Sequence, residues 1–282
     1  MREYIVADVF TEVPLQGNPV AVFLDGEGLS TEAMQSTARE LNLSETVFLL
    51  PGNGGRDGVH YHARIFTPAV ELPFAGHPVL GTAFVIAKRQ SVDTVRLQTG
   101  VGVVSVAMQR RSGACVFGEM QQPLPSWEPF EPAGELLAAL GVRDSELPIE
   151  IYDNGPRHAF VALGDEQAVV ALRPDLAALS ELGQLGVSCF AIADGYVKTR
   201  MFGPALGVAE DPATGSAAGP LAVHLARHDR TAFGDRIEIR QGAEIGRPST
   251  LFARAEGSRD ELERVRVGGS AVIVARGEYR LE

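Results

Sequence analysis

The sequence predicts an α/β (α+β) fold of two pseudo-symmetric domains, each a set of strands wrapped around one central helix. Three observations lead there: a stretch of chain that is written twice, two helices with almost no polar face, and a proline-rich segment between the copies.

The repeat is carried by Arg64-Ile65-Phe66-Thr67-Pro68-Ala69 and Arg200-Met201-Phe202-Gly203-Pro204-Ala205, each a strand running into a turn. A few residues later each copy reaches a glycine that opens an apolar helix, at Ala75-Gly76-His77-Pro78-Val79-Leu80 and at Thr214-Gly215-Ser216-Ala217-Ala218-Gly219. Gly17-Asn18-Pro19-Val20-Ala21-Val22-Phe23-Leu24 resembles Gly155-Pro156-Arg157-His158-Ala159-Phe160-Val161-Ala162-Leu163 in pattern. The distance from each of these strands to its Arg-x-Phe-x-Pro-Ala element is 47 residues (17 to 64) and 45 residues (155 to 200). Such a register marks a duplication.

Val79, Leu80, Ala83, Phe84, Val85, Ile86 and Ala87 leave one helix no polar face, and Leu221, Ala222, Val223, Leu225 and Ala226 do the same for the other. Both must be buried on nearly all sides, so a sheet has to wrap each one. Alternation at Tyr61, Ala63 and Ile65 predicts a half-buried strand, and residues 101–108 predict another. Residues 30–41 read as an amphipathic surface helix with Ser30 as N-cap and Met34, Ala38 and Leu41 facing inward. Residues 122–132 carry four prolines, which prevent a helix or central strand and mark a linker.

Composition excludes several function classes. A net charge of −11 and a pI near 5.1 repel phosphate backbones and anionic membranes, so neither nucleic acid nor membrane is an expected partner. Two cysteines, Cys115 and Cys189, form no disulfide framework or metal cluster, which fits a reducing cytoplasm. The apolar N-terminal stretch stops at Asp8, too soon for a secretory signal, and no run of apolar residues could span a bilayer. His60-x-His62 and His224-x-x-x-His228 lack the third ligand of a metal site, so no metal is expected. Residues 52–58 form a glycine-rich turn without dinucleotide spacing, and Ser216 lies in no nucleophile elbow.

What remains are the helix starts. Unpaired amide groups and the helix dipole make an anion site, and Gly76 and Gly215 let a ligand approach that backbone. Related by a pseudo-two-fold axis, the two starts can face each other across a cleft and hold a carboxylate. Catalytic groups are needed once, so they belong where the halves differ. Glu45, in Asn42-Leu43-Ser44-Glu45-Thr46-Val47-Phe48-Leu49, has no acidic counterpart in Leu185-Gly186-Val187-Ser188-Cys189-Phe190-Ala191-Ile192. A glutamate in an apolar cleft has its pKa raised toward values that suit proton transfer to and from carbon. His77, Ser216 and Asp211 sit near helix starts and are open to two roles, capping the helix or touching substrate.

Gly17-Asn18-Pro19-Val20-Ala21-Val22, Asn42-Leu43-Ser44-Glu45, Phe66-Thr67-Pro68, Glu71-Leu72-Pro73-Phe74-Ala75-Gly76-His77-Pro78 and Asp211-Pro212-Ala213-Thr214-Gly215-Ser216-Ala217 together resemble the phenazine biosynthesis PhzF family, through nearly the whole chain. The resemblance implies the diaminopimelate epimerase-like fold, with mostly antiparallel, barrel-like sheets. It places an N-terminal half at residues 1–120 and a C-terminal half at 121–282, with the last strand (about 270–282) open to returning to the first. It also implies a cytoplasmic homodimer without cofactor that isomerises a small carboxylate, trans-2,3-dihydro-3-hydroxyanthranilate. By the same resemblance Glu45 moves a proton from C3 to C1, His77 and Asp211 relay protons or orient substrate, and Gly76, Gly215 and Ser216 hold the carboxylate.

Two alternatives stay open. An amino-acid epimerase of this fold would carry two cysteines at the helix starts, where this chain has Ala75 and Ala213. A non-catalytic interaction protein on the same fold would have no need of Glu45 or His77.

Overall fold

The computed structural model describes residues 1–52 and 58–281. The first half contains β1 (Arg2–Val9), β2 (Asn18–Phe23), α1 (Thr31–Leu41), β3 (Glu45–Pro51), β4 (Tyr61–Phe66), β5 (Glu71–Leu72), α2 (Gly76–Gln90), β6 (Thr94–Thr99), β7 (Gly102–Arg111) and β8 (Ala114–Gln122). The second contains β9 (Ser126–Pro129), α3 (Ala133–Leu140), β10 (Glu150–Asp153), β11 (Arg157–Ala162), α4 (Glu166–Ala171), α5 (Leu176–Glu181) and β12 (Gly186–Ile192). It continues with β13 (Val197–Gly203), β14 (Val208–Asp211), α6 (Gly215–Arg227), β15 (Arg236–Gln241), β16 (Ser249–Gly257), β17 (Leu262–Gly269) and β18 (Ala271–Tyr279). Most of the turn expected at 52–58 lies outside the described residues.

Strand pairing repeats the duplication. β1, β2, β3, β4, β6, β7 and β8 lie side by side, with β2–β3 and β4–β6 parallel, the other pairs antiparallel, and β5 flanking β4. In the same arrangement β10, β11, β12, β13, β15, β16 and β17 follow, with β11–β12 and β13–β15 parallel and β14 flanking β13. β8 and β17 join the two sheets as an antiparallel pair. β18 pairs with β1, and β9 adds an edge to β10. The proline-rich segment is therefore not wholly irregular: Ser126–Pro129 forms an edge strand, where a residue without an N–H is tolerated.

Side chains explain why the Arg-x-Phe-x-Pro-Ala element recurs. Arg64 pairs with Glu71 and Arg200 with Glu210, both through two guanidinium nitrogens, tying β4 to β5 and β13 to β14. Each guanidinium also lies over the ring two residues on, Arg64 at 5.1 Å from Phe66 and Arg200 at 5.0 Å from Phe202.

The two all-apolar helices are the cores of the sheets. α2 is buried from Gly76 to Ala87 and α6 from Gly215 to Ala226. α2 packs on β1, β2, β3, β6, β7, β8, β17 and β18, and α6 on β16 and β17. On its other side α6 sets His224 against Tyr152, Phe160 and Phe190 of β10, β11 and β12. Ser30 caps α1 as expected, and Met34 and Ala38 are buried beneath it.

The helices meet head to head. A Cβ on Gly76 would come within 2.4 Å of the Gly215 carbonyl carbon and 2.5 Å of the Ser216 amide nitrogen. One on Gly215 would reach the His77 amide at 2.9 Å. Only glycine permits this approach, so Gly76→Ala must push the two helix starts apart. We expect a loss of about 1–3 kcal/mol in stability, the usual range for overpacking, measured by urea unfolding; unchanged stability would show that the junction yields without strain.

Candidate active site

α1 ends at Asn42, whose left-handed backbone (φ 51°) stops the helix and sends the chain into β3 after two residues. Glu45 is the first residue of β3, opposite Val20 of β2. Strand register also fixes its mirror position. β11 sets His158 opposite Gly186, as β2 sets Val20 opposite Glu45, so the counterpart of Glu45 is Gly186. Matching the two sequence strings residue by residue would have given Ser188, two positions away. The asymmetry holds in the corrected register, since Gly186 has no side chain at all.

One cavity between the halves is lined by Glu45, Gly76, His77, Asp211, Gly215 and Ser216, together with Thr67, Leu72, Pro156, His158 and Thr214. All six residues expected in the site are thus brought together. Larger hollows of about 500 Å³ lie elsewhere, one around Lys198, Arg240 and Tyr196, but that one is lined by none of Glu45, His77 and Asp211.

Neither helix has a side-chain cap: Ala75 and Thr214 occupy the N-cap positions without capping bonds. His77, Ser216 and Asp211 therefore do not cap, and the first amides of both helices remain uncapped at the cavity. Two positive helix ends in contact favour an anion.

Glu45 Oε2 lies 3.3 Å from His77 Nε2, and both atoms are buried with no hydrogen bond made. Burial raises the Glu45 carboxyl well above its ordinary range, and the neighbouring Asp211 charge adds to the shift. Burial lowers His77 to about 3, against an opposing contact with the backbone of Pro19. The imidazole is neutral at physiological pH.

Its tautomer follows from counting hydrogens. Asn18 Nδ2 gives one hydrogen to Asp211 Oδ1 at 2.8 Å and the other to the Ala213 carbonyl at 2.9 Å, leaving none for His77 Nδ1 at 3.1 Å. Pro19 offers only a carbonyl, so the ring proton belongs on Nδ1. The Nε2 lone pair then faces a protonated Glu45.

Asp211 ends β14, where Pro212 breaks the strand. Burial raises it to about 6, while hydrogen bonds from Thr214, Ser44 and Asn18 pull the other way and Glu210 adds to the rise. Thr214 Oγ1 donates at 2.7 Å, and Gln241 from β15 locks the turn by donating to the Asp211 carbonyl and Thr214 Oγ1. Asp211 is thus ringed by donors that partly offset its burial, whereas burial and the Asp211 charge both raise Glu45.

Sequence reasoning missed Asn18, Ser44, Thr214, Gln241 and His158. Asn18 and His158 stand inside strings already singled out by the repeat, but their contacts are 193 and 58 residues away. It also missed the acid that joins His224 and His228. Glu150 Oε2 receives Tyr152 Oη at 2.9 Å, His224 Nδ1 at 3.2 Å, His228 Nε2 at 3.1 Å and Arg227 at 2.6 Å. With the Arg227 guanidinium on the shared oxygen, this cluster is an ion pair tying β10 to α6 and disfavours a metal cation. Burial would raise Glu150, but those donors outweigh it and hold the carboxyl far below the usual range. The cysteines are outside the cavity; burial pushes Cys189 up to about 12, so it is no thiolate.

The buried acid predicts a pH-dependent stability. Folded Glu45 keeps a proton that the unfolded chain releases above 4.5, so its contribution to stability falls as pH rises from 4.5 through the raised value. His77 works at the other end, losing stability as pH falls from 6.5 toward 3. Glu45→Gln removes only the first effect. Its melting temperature should exceed that of the wild type at pH 8 and converge with it near pH 4.5, by calorimetry; a wild type that is the more stable at pH 8 would contradict the assignment.

Trans-2,3-dihydro-3-hydroxyanthranilate isomerase of Pseudomonas aeruginosa is 52% identical over 281 residues, covering the whole of both chains. A predicted epimerase from Pseudomonas aeruginosa of solved structure is 34% identical, with a TM-score of 0.85 over the whole of both chains. A probable proline racemase from Agrobacterium radiobacter shares the fold alone, at 14% identity and a TM-score of 0.71 over 100% of this chain and 94% of the other. The expected α/β architecture of sheets wrapped around helices is the one these neighbours share. Residues 7–277 match the PhzC-PhzF family of phenazine biosynthesis-like proteins, and the chain belongs to that family.

Proposed function

We propose that this chain is a trans-2,3-dihydro-3-hydroxyanthranilate isomerase of phenazine biosynthesis, working without a cofactor and with Glu45 as its single acid/base. The observation that carries the reading is one buried carboxyl set against a neutral imidazole, at two uncapped helix starts, with glycine at the mirror position. The full-length identity to enzymes of that name supports the substrate.

The ring carboxylate sits at the amides of Gly76 and Gly215 and at the Ser216 hydroxyl. The ring amine faces Asp211. Pairing Asp211 with an ammonium relieves the negative charge that helps keep Glu45 protonated, so substrate binding itself eases ionisation of the base. Its resting proton leaves to solvent as substrate binds, and the Glu45 carboxylate then takes the proton from C3. The electron pair moves through C4, C5 and C6 toward C1, next to the carboxylate held by the helix ends, which stabilise the charge that develops there. Glu45 returns the proton to C1 on the same ring face. The resulting enol at C3 tautomerises to the ketone of 6-amino-5-oxocyclohex-2-ene-1-carboxylate. Bonds made and broken lie within the substrate, so no redox partner enters.

His77 accepts the Glu45 proton in a hydrogen bond and holds the carboxyl in place between the two transfers. Inverting a single stereocentre would need a second base on the opposite face, and the mirror position offers only Gly186 and a buried neutral His158. For this reason the isomerase is favoured over an amino-acid epimerase. We take the working form to be a cytoplasmic homodimer, on the family resemblance and on two free thiols suited to a reducing compartment.

Turnover in deuterated water tests the reading. Wild type should convert the substrate, and Glu45→Gln should be slower by at least about 100-fold, the usual contribution of a positioned acid/base. A wild type that leaves the substrate unchanged overturns the isomerase; a Gln variant at the wild-type rate overturns Glu45 as base; deuterium at an amino-acid α-carbon would indicate an epimerase.

A further inference from the structure

His158 stands beside Gly186, the mirror position of Glu45. It lies across from Gly186 in the β11–β12 pair, and a Cβ on Gly186 would come within 2.6 Å of its Nδ1, so the ring fills the space that a carboxylate would need. The residue is 2% exposed, and Nδ1 is buried without a hydrogen-bond partner. Nε2 lies 3.1 Å from Ser216 Oγ, at the second position of α6. Burial lowers His158 to about 4, so the ring carries one proton at neutral pH.

Two placements of that proton are open to it. On Nδ1 it would be a buried donor without an acceptor, and Ser216 would spend its only hydrogen on Nε2, turning a lone pair toward the anion site. On Nε2 it is satisfied by Ser216 Oγ, and the serine hydrogen is free to point into the cavity. We propose that His158 is a positioning residue: its Nε2–H donates to Ser216 Oγ and fixes the Ser216 hydroxyl as a donor to the substrate carboxylate. The second half of the repeat, with glycine where the first has its acid, uses an imidazole to polarise the carboxylate holder.

The identity of the carboxylate rests on the isomerase reading, so binding and turnover are measured separately. Anthranilate, an aromatic acid with the same neighbouring amine and carboxylate, serves as the binding probe by calorimetry. His158→Leu should weaken its binding roughly tenfold, the effect of one hydrogen bond to a charged group. Ser216→Ala should cost as much, and the double variant no more than Ser216→Ala alone. His158→Gln, which can still donate, should restore most of the loss. In turnover His158→Leu should raise KM by a similar factor and leave kcat within about twofold. Wild-type ¹⁵N shifts should show His158 protonated at Nε2 and bare at Nδ1, a readout that needs no variant to fold. Unchanged anthranilate binding in His158→Leu, additive losses in the double variant, or the opposite tautomer would each overturn the proposal. The predicted binding pattern in a protein that does not convert trans-2,3-dihydro-3-hydroxyanthranilate would support His158 and remove the isomerase reading.

Discussion

The contact between Gly76 and Gly215 sets the terms for the rest of the molecule. Two helices buried in separate sheets run into each other at their amino ends, without capping side chains, inside a chain of net charge −11. Like ends of two dipoles repel, and the uncapped amides need acceptors. Both demands favour negative charge at the junction, and Asp211 lines the same cavity. The fold therefore creates an anion site as a consequence of burying its two most apolar segments, and the acidic surface around it leaves recognition to that local field.

Duplication builds this junction and its departures from symmetry make it reactive. Sheet register pairs Glu45 with Gly186 and Leu72 with Asp211, and the second position of each central helix holds His77 in one half and Ser216 in the other. The first half thus supplies a proton-holding acid and its imidazole partner, and the second supplies a hydroxyl and a carboxylate ringed by donors. Neither half is complete. Burial raises both carboxyls, but the donors Thr214, Ser44 and Asn18 pull Asp211 back while Glu45 Oε2 has no hydrogen bond to offset its rise, so their surroundings push them apart. That division is what a reaction needing one acid/base and one charge anchor requires.

Much of this was legible in the sequence because it depended on local pattern. Helices that are apolar all round announce a wrapping sheet, and the Arg-x-Phe-x-Pro-Ala repeat could be found because an ion pair and a ring contact require the same residues twice. Glu45 stood out for being present once. Less was legible where a contact crosses the chain. Gln241 braces Asp211 from 30 residues away and Asn18 from 193, and nothing in either neighbourhood of sequence points to the other. The true partner of Glu45 is set by hydrogen bonding between strands, which string matching placed two residues off. Likewise Glu150 completes the pair His224 and His228 from another strand, and Arg227 on the same helix turns the trio into an ion pair.

The central claim is that a single buried carboxyl lifts a proton from one carbon and sets the same proton down on another. It is tested most directly by giving the wild-type enzyme trans-2,3-dihydro-3-hydroxyanthranilate labelled with deuterium at C3, in ordinary water, and reading the product by NMR at short times. The account predicts deuterium at C1, carried there by Glu45. Product bearing only hydrogen at C1 from the first turnover would contradict it.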